Sequence, residues 1–261
     1  MALLVVRGLT KDFGGVRAVN ELDLDIEDGQ IVSVIGPNGA GKTTLFNLVT
    51  GMAPVDHGDV VLDGHSIVGL RPSQILQHGI ARTFQNVRLF PEMTVRENVM
   101  VARHCRTRSG MLAAILRTPS FRREEAETRR RAEEALAFFG TRLVGWRLDT
   151  LARGLSYANR RRLEIARAIA SGPRVLLLDE PTAGMNPRET QELTELVRKL
   201  RDQTGVAIVI IEHDMRVVKG ISERVVVLDY GQKIADGTYQ QVASNERVIE
   251  AYLGRKAAQR E

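Results

Sequence analysis

Short apolar runs and the intervals between them divide the chain into three kinds of segment. Leu3 to Leu9, Val16 to Val19 and Leu22 to Ile26 are brief β-type runs punctuated by Gly14, Gly15 and Asn20, a pattern that predicts an antiparallel opening. Ile31 to Ile35 is a near-continuous β-branched run suited to a strand buried on both faces. It leads into a glycine-rich stretch, Gly36 to Gly41, and a helix starting at Lys42. Further on, Val175 to Leu178, Ala207 to Ile211 and Val225 to Leu228 are apolar runs separated by helical segments beginning near Pro187 and Asp214. That alternation predicts a parallel sheet covered by helices. Thr94 to Gly172 contains no comparable β run and reads as a helical insertion. Within it, Thr107 to Ser120 is a loop or short helix between two longer helices.

Composition narrows the class. Hydrophobic residues at 43% and charged residues at 26% are those of a folded domain. The longest apolar runs, Val206 to Ile211 and Met111 to Leu116, fall far short of the roughly 20 residues that a membrane-spanning helix needs, so membrane contact is expected to be peripheral. Met1 to Leu9 lacks a basic start and a small-residue cleavage site and reads as a strand; a cytoplasmic location is expected. Cys105 is the only cysteine, which excludes an intrachain disulfide and a thiolate-built zinc site. The net charge of +5 would suit nucleic acid or anionic lipid, but most arginines stand beside glutamates in helical patterns. Glu125 with Arg129, and Glu127 with Arg131, are four apart, the spacing of a solvated, ion-paired helix face; no nucleic acid is expected.

The chemistry is concentrated in two places. Gly36 to Thr44, GPNGAGKTT, matches the G-x-x-x-x-G-K-[ST] phosphate loop and has the strand before it and helix after it that the motif requires. Main-chain N–H groups must approach phosphate oxygens closely, and a Cβ at Gly36, Gly39 or Gly41 would obstruct that approach or the dihedrals behind it. Asn38 and Ala40 complete the loop. Lys42 is expected to reach the β and γ phosphates, Thr43 to offer its hydroxyl to Mg2+, and Thr44 to join the helix N-terminus at the nucleotide. The second place is VLLLDEP, 175–181, where Asp179 and Glu180 follow a buried strand at the sheet edge that binds ligands in open α/β folds. Adjacent side chains point opposite ways. Asp179 is therefore expected to face Mg2+ through a water and Glu180 to orient the attacking water.

With these motifs in place the chain resembles ATP-binding cassette proteins over nearly its whole length. RTFQNVRLFPEMTVRENV, 82–99, resembles the family's glutamine loop and the segment that meets the membrane partner. LSYANRRRLEIARAIA, 155–170, resembles its signature helix; AGMNP, 183–187, the loop after the second acid; and IEHDM, 211–215, the histidine switch. The resemblance implies an α/β P-loop NTPase core with a mainly parallel sheet and an antiparallel β subdomain (1–84 and 173–238), a helical subdomain (85–172) and a C-terminal helical tail (239–261). It implies ATP and Mg2+ as cofactors, with Glu180, His213, Gln85 and Lys42 as catalytic residues. Gln85 would also meet the metal, Phe13 would stack on adenine, and Ser156 would act on the nucleotide of a second cassette. Three stretches, 82–104, 116–131 and the ending VIEAYLG at 248–254, are most similar to the G-type ATP-binding subunit of branched-chain amino acid importers. The implied partners are a second cassette, of the companion F type or a copy of this chain, two integral membrane permease subunits and an external solute-binding protein. The implied location is the inner face of the cell membrane. Related systems for other amino acids, amides or urea, or for lipopolysaccharide export, and soluble cassette ATPases share the same core.

One motif departs from the family. The general signature is LSGGQ, and LSYAN keeps only Ser156 as the hydroxyl donor. Ala158 restricts positive φ and Asn159 is shorter than Gln, which predicts a weakened trans-acting half beside an intact phosphate loop.

Overall fold

The protein is described by a computed structural model covering residues 2–107 and 109–258. Met1, Arg108 and residues 259–261, which fall in the expected first strand, insertion loop and C-terminal tail, lie outside the described residues. Strand β1 (Ala2–Phe13) turns through Gly14 and Gly15, both at positive φ, into β2 (Val16–Glu27), with Phe13 opposite Val16. The two separate runs expected in this region are one strand. Glu21 takes a positive φ of 46° and donates its N–H to the Thr10 hydroxyl at 3.1 Å, so a bulge absorbs the polar break without ending the pairing.

The chain continues through β3 (Ile31–Ile35), α1 (Lys42–Val49), β4 (His57–Leu62), β5 (His65–Ser66), α2 (Pro72–His78) and β6 (Ile80–Arg82). A mostly helical stretch follows: α3 (Val95–Ala102), α4 (Met111–Ile115), α5 (Pro119–Ala137) and α6 (Tyr157–Ala170). Strands and helices then alternate as β7 (Val175–Asp179), α7 (Pro187–Thr204), β8 (Ala207–Ile211), α8 (Met215–Ile221), β9 (Arg224–Asp229) and β10 (Gln232–Gly237), before α9 (Tyr239–Ala243) and α10 (Glu246–Ala258). One sheet is antiparallel, in the order β2-β1-β4-β5. The other has the order β10-β9-β3-β8-β7-β6 and is parallel except for β10.

The central strands read as unbroken apolar runs because both faces of the second sheet are covered. Leu177, Val209 and Val226 face the antiparallel sheet and α1, while Leu176, Leu178, Ile208 and Ile210 face α3, α5, α6 and α7. Each of these side chains is at most 2% exposed, and burial of a leucine, isoleucine or valine contributes about 1.5–3 kcal/mol. The helices begin where the sequence caps them. Thr94 with Glu97 and Asn186 with Glu189 form reciprocal capping boxes, and Gly205 ends α7 in the left-handed conformation. On α5, Glu127 pairs with Arg131 at 2.9 Å and with Arg130 at 2.6 Å, and the two guanidiniums hold its carboxyl down at about 2. Glu125 and Arg129 make no such pair. Among the described residues no helix is long and apolar enough to cross a membrane.

Candidate functional site

The loop between β3 and α1 is held by close packing against main chain and by the Lys42 side chain. A Cβ on Gly36 would stand 2.1 Å from the Leu228 carbonyl oxygen of β9, and one on Gly41 would stand 2.4 Å from the Ala18 carbonyl oxygen of β2. Gly39 has open space around it and is required only by its φ of 77°. The loop therefore lies against main chain from both sheets and presents Asn38 and Gly39 outward, with Ala40 buried beneath them. Lys42 is 6% exposed, and its Nζ donates to the carbonyls of Gly36 at 2.7 Å and Pro37 at 2.9 Å, across the mouth of the loop. Thr43 is exposed and Thr44 half-buried in the first turn of α1.

Phe13 is 50% exposed at the end of β1, with the Lys11 ammonium 5.2 Å from its ring centre. It is a surface residue, not a core one. Its hairpin also carries Ala18, the residue packed against Gly41, so the ring and the loop belong to one neighbourhood. Val16, opposite Phe13, is 68% exposed and extends the same apolar surface; sequence reading assigned it only to a strand. An exposed aromatic with a neighbouring valine suits the face of a purine ring.

A second cluster forms at the end of β7. Glu180 takes a positive φ of 48° immediately after the strand, and its N–H is held by the Ile211 carbonyl at 2.9 Å. That turn separates it from Asp179. One oxygen of Glu180 accepts from Gln85 Nε2 at 3.1 Å, and the other lies 3.0 Å from His213 Nε2. Three residues spread over more than 120 positions of sequence thus converge on one carboxylate. Glu212 supports the arrangement from below: its carboxylate accepts from the Thr182 N–H at 3.1 Å, from the Thr182 hydroxyl, and from the His213 N–H at 2.9 Å.

Asp179 is 1% exposed and turns the other way, to an ion pair with Arg82 at 2.8 Å. Its second oxygen, Oδ1, is buried with no hydrogen-bond partner among the described residues. An orphaned carboxylate oxygen in a protein interior is costly unless a further ligand completes it. With the exposed Thr43 hydroxyl, this donor set is the all-oxygen kind that suits Mg2+.

The residue that ties the cluster together was not singled out by sequence. Arg161 on α6 is fully buried. Its Nη1 donates to the Phe84 carbonyl and to Glu164 at 2.9 Å, and its Nη2 donates to the carbonyls of Gln85 and Glu180, both at 2.8 Å. Its neighbours Arg160 and Arg162 look identical in sequence; Arg162 is buried too but turns to Asn159 and Glu192, so only the partners that folding supplies tell Arg161 from it. Ser156 stands apart from these groups, exposed as the N-cap of α6, accepting the Asn159 N–H at 3.4 Å. Tyr157 and Ala158 already lie in the helix, and Ala158 is buried. The expected conflict between Ala158 and a positive φ does not arise, because the backbone there is right-handed helix. Asn159 accepts from Arg162 at 3.0 Å, and Tyr157 packs over Gly184 of the following loop.

Comparison with known proteins gives a consistent result. The family described as ABC transporter matches residues 19–183, and the one described as branched-chain amino acid ATP-binding cassette transporter matches residues 232–258. The chain is 48% identical over 257 residues to the high-affinity branched-chain amino acid transport ATP-binding protein BraF of Pseudomonas aeruginosa, and 47% identical over 252 residues to LivG of Escherichia coli K12; each match covers 97% of this chain and 98% of the relative. The lipopolysaccharide export ATP-binding protein LptB of Haemophilus influenzae is 35% identical over 254 residues, with the same coverage. Among solved structures, the ADP conformation of an ATP-binding cassette of an ABC transporter superposes with a TM-score of 0.83 at 31% identity, over 97% of this chain and 99% of that one. A dimeric cassette in a post-hydrolysis state, bound to ADP and Pi, superposes with a TM-score of 0.75 at 25% identity, over 90% of this chain and 98% of that one.

Proposed function

This chain belongs to the ABC transporter family as an ATP-binding, ATP-hydrolysing cassette, and on that footing we propose that it powers the uptake of branched-chain amino acids. The observation that carries the chemical half of this reading is the Glu180 carboxylate, held between Gln85 and His213 at the end of a buried strand. A carboxylate so placed can orient a water for in-line attack on a γ-phosphate, with proton transfer to Glu180 as the P–O bond to ADP breaks. Gln85 and His213 fix the carboxylate's two oxygens, and Arg161 fixes the main chain beneath it. Lys42 and the amides of the loop after β3 hold the phosphates, and Phe13 with Val16 offers the base a stacking surface. Thr43 and Asp179 would hold Mg2+, Asp179 through a water, and the ion would supply charge neutralisation on the β and γ phosphates.

The solute comes from the relatives. BraF and LivG, at 48% and 47% identity, are named for branched-chain amino acid transport, whereas the export relative LptB stands at 35%. The working assembly we propose pairs this cassette with a second one, a companion chain or a copy of itself, beneath two permease subunits. An external binding protein delivers the solute, and the cassette sits on the cytoplasmic face. The dimeric cassette among the structural neighbours supports the pairing. The test is leucine uptake into proteoliposomes that hold the permease subunits and both cassettes, with ATP on the cassette side and the solute-binding protein on the other. The expected result is uptake that requires Mg-ATP and is lost with Glu180→Gln. Phosphate release without leucine, isoleucine or valine uptake would reject the solute, and absence of phosphate release would reject the reading as a whole.

A further inference from the structure

Arg82 occupies a place in this molecule that neither the phosphate loop nor the acid pair explains. It ends β6, and its guanidinium is buried, with the side chain 5% exposed. Nη2 donates to Asp179 Oδ2 at 2.8 Å and Nη1 donates to Asn47 Oδ1 at 2.6 Å. Asn47 lies four residues after Thr43 on α1, so the two share a helix face. The rings of Phe46, on the same helix, and Phe84, next to Gln85, lie 5.4 and 5.1 Å from the guanidinium carbon and close on it. One rigid fork therefore spans from the helix that carries Thr43 to the carboxylate that ends β7.

As a device for stability alone this pair is poorly made. A buried ion pair repays its desolvation only when its remaining polar atoms are satisfied, and here Arg82 Nε and Asp179 Oδ1 both lack partners among the described residues. The loss on the aspartate side is specific. Arg82 engages Oδ2 and leaves Oδ1 uncommitted, which holds the carboxylate in one orientation with one oxygen available.

We propose that Arg82 is a positioning residue for the metal site: by clamping Asn47 and Asp179 at once it sets the separation and orientation of Thr43 and Asp179, the two groups that would hold Mg2+. The inference rests on the ATPase reading above. It predicts a defect confined to the metal-dependent part of nucleotide binding, because the hydrogen bonds of Arg82 go to Asn47 and Asp179 and its ring contacts to Phe46 and Phe84, all outside the phosphate loop. Removal of a residue that orients a metal ligand typically weakens metal affinity about 10- to 100-fold.

The experiment is equilibrium binding of a fluorescent ATP analogue to the full chain, in excess Mg2+ and in EDTA, for wild type, Arg82→Lys and Asn47→Ala, with thermal unfolding recorded for each. Arg82→Lys keeps the charge but cannot span both acceptors. Asn47→Ala breaks the clamp at the helix while leaving the ion pair intact, and so serves if Arg82→Lys does not fold. The expected result is affinity reduced about 10-fold or more in Mg2+ and unchanged within twofold in EDTA. Equal losses in both media, or full affinity in Mg2+, would overturn the proposal. A wild type whose affinity gains nothing from Mg2+ would instead reject the metal-dependent reading on which it rests.

Discussion

The guanidinium of Arg161 and the main-chain carbonyl of Glu180 lie 2.8 Å apart, nineteen residues distant in sequence, with the whole of β7 between them along the chain. Because the same guanidinium also reaches the carbonyls of Phe84 and Gln85, the helix that Ser156 caps is fastened to both loops that shape the site. Replacing Arg161 by Met leaves the buried Glu164 without its ion-pair partner, though it still accepts from the Phe84 and Arg88 N–H groups, and breaking such a pair costs about 3–5 kcal/mol. For a chain of this size that corresponds to a melting temperature lower by roughly 6–20 °C. Arg161→Lys keeps the charge but not the fork, so it is expected to unfold later than Arg161→Met while still releasing phosphate more slowly than wild type. Calorimetry and a phosphate-release assay on the same preparations check both statements.

Glu180→Gln preserves shape and removes the proton acceptor. Its expected effect is a fall in the rate of phosphate release of about 10²- to 10⁴-fold with nucleotide affinity retained. In a complex of two unlike cassettes the same change in the partner is expected to cost less. This chain pairs an intact Lys42, Glu180 and His213 with an altered signature, so the site built on its own phosphate loop is expected to carry most of the turnover. Equal losses from the two substitutions would count against that asymmetry.

Lys42 holds the mouth of the phosphate loop through the Gly36 and Pro37 carbonyls and is expected to turn its charge to the phosphates. A hydrogen bond to a charged group is worth about 1.5–3 kcal/mol, so Lys42→Ala is expected to weaken ATP binding roughly 10- to 100-fold. Isothermal titration with ATP measures this directly, and undiminished affinity would remove the loop from the site.

Two glycines of the loop are expected to behave differently when changed to alanine. At Gly36 the new methyl meets the Leu228 carbonyl at 2.1 Å, and β9 must move. At Gly39 it meets nothing, and the cost is the positive φ alone, about 1–2 kcal/mol. Gly36→Ala should therefore lower the melting temperature by clearly more than the roughly 2–8 °C expected for Gly39→Ala. Matched losses would show that the crowding at Gly36 is relieved by a small shift of the loop.

Local patterns in the sequence established much of this protein. The run Ile31 to Ile35 reads as a doubly buried strand because both of its faces are covered, and the helix starts at Lys42 and Pro187 are written in the residues that precede them. The family follows from motifs, since Gly36 to Thr44, Asp179 with Glu180, and the histidine four-fifths of the way along are close-range signatures in the required order. Tertiary structure decided the rest. Strands as short as β6 have too few residues to show a period and exist because β7 pairs with them. Arg161 and Arg82 are two arginines among many until packing withdraws them from water and leaves main-chain carbonyls, Asn47 and Asp179 as their partners. Long-range contacts of that kind depend on which elements the fold brings side by side, and no local spacing encodes them.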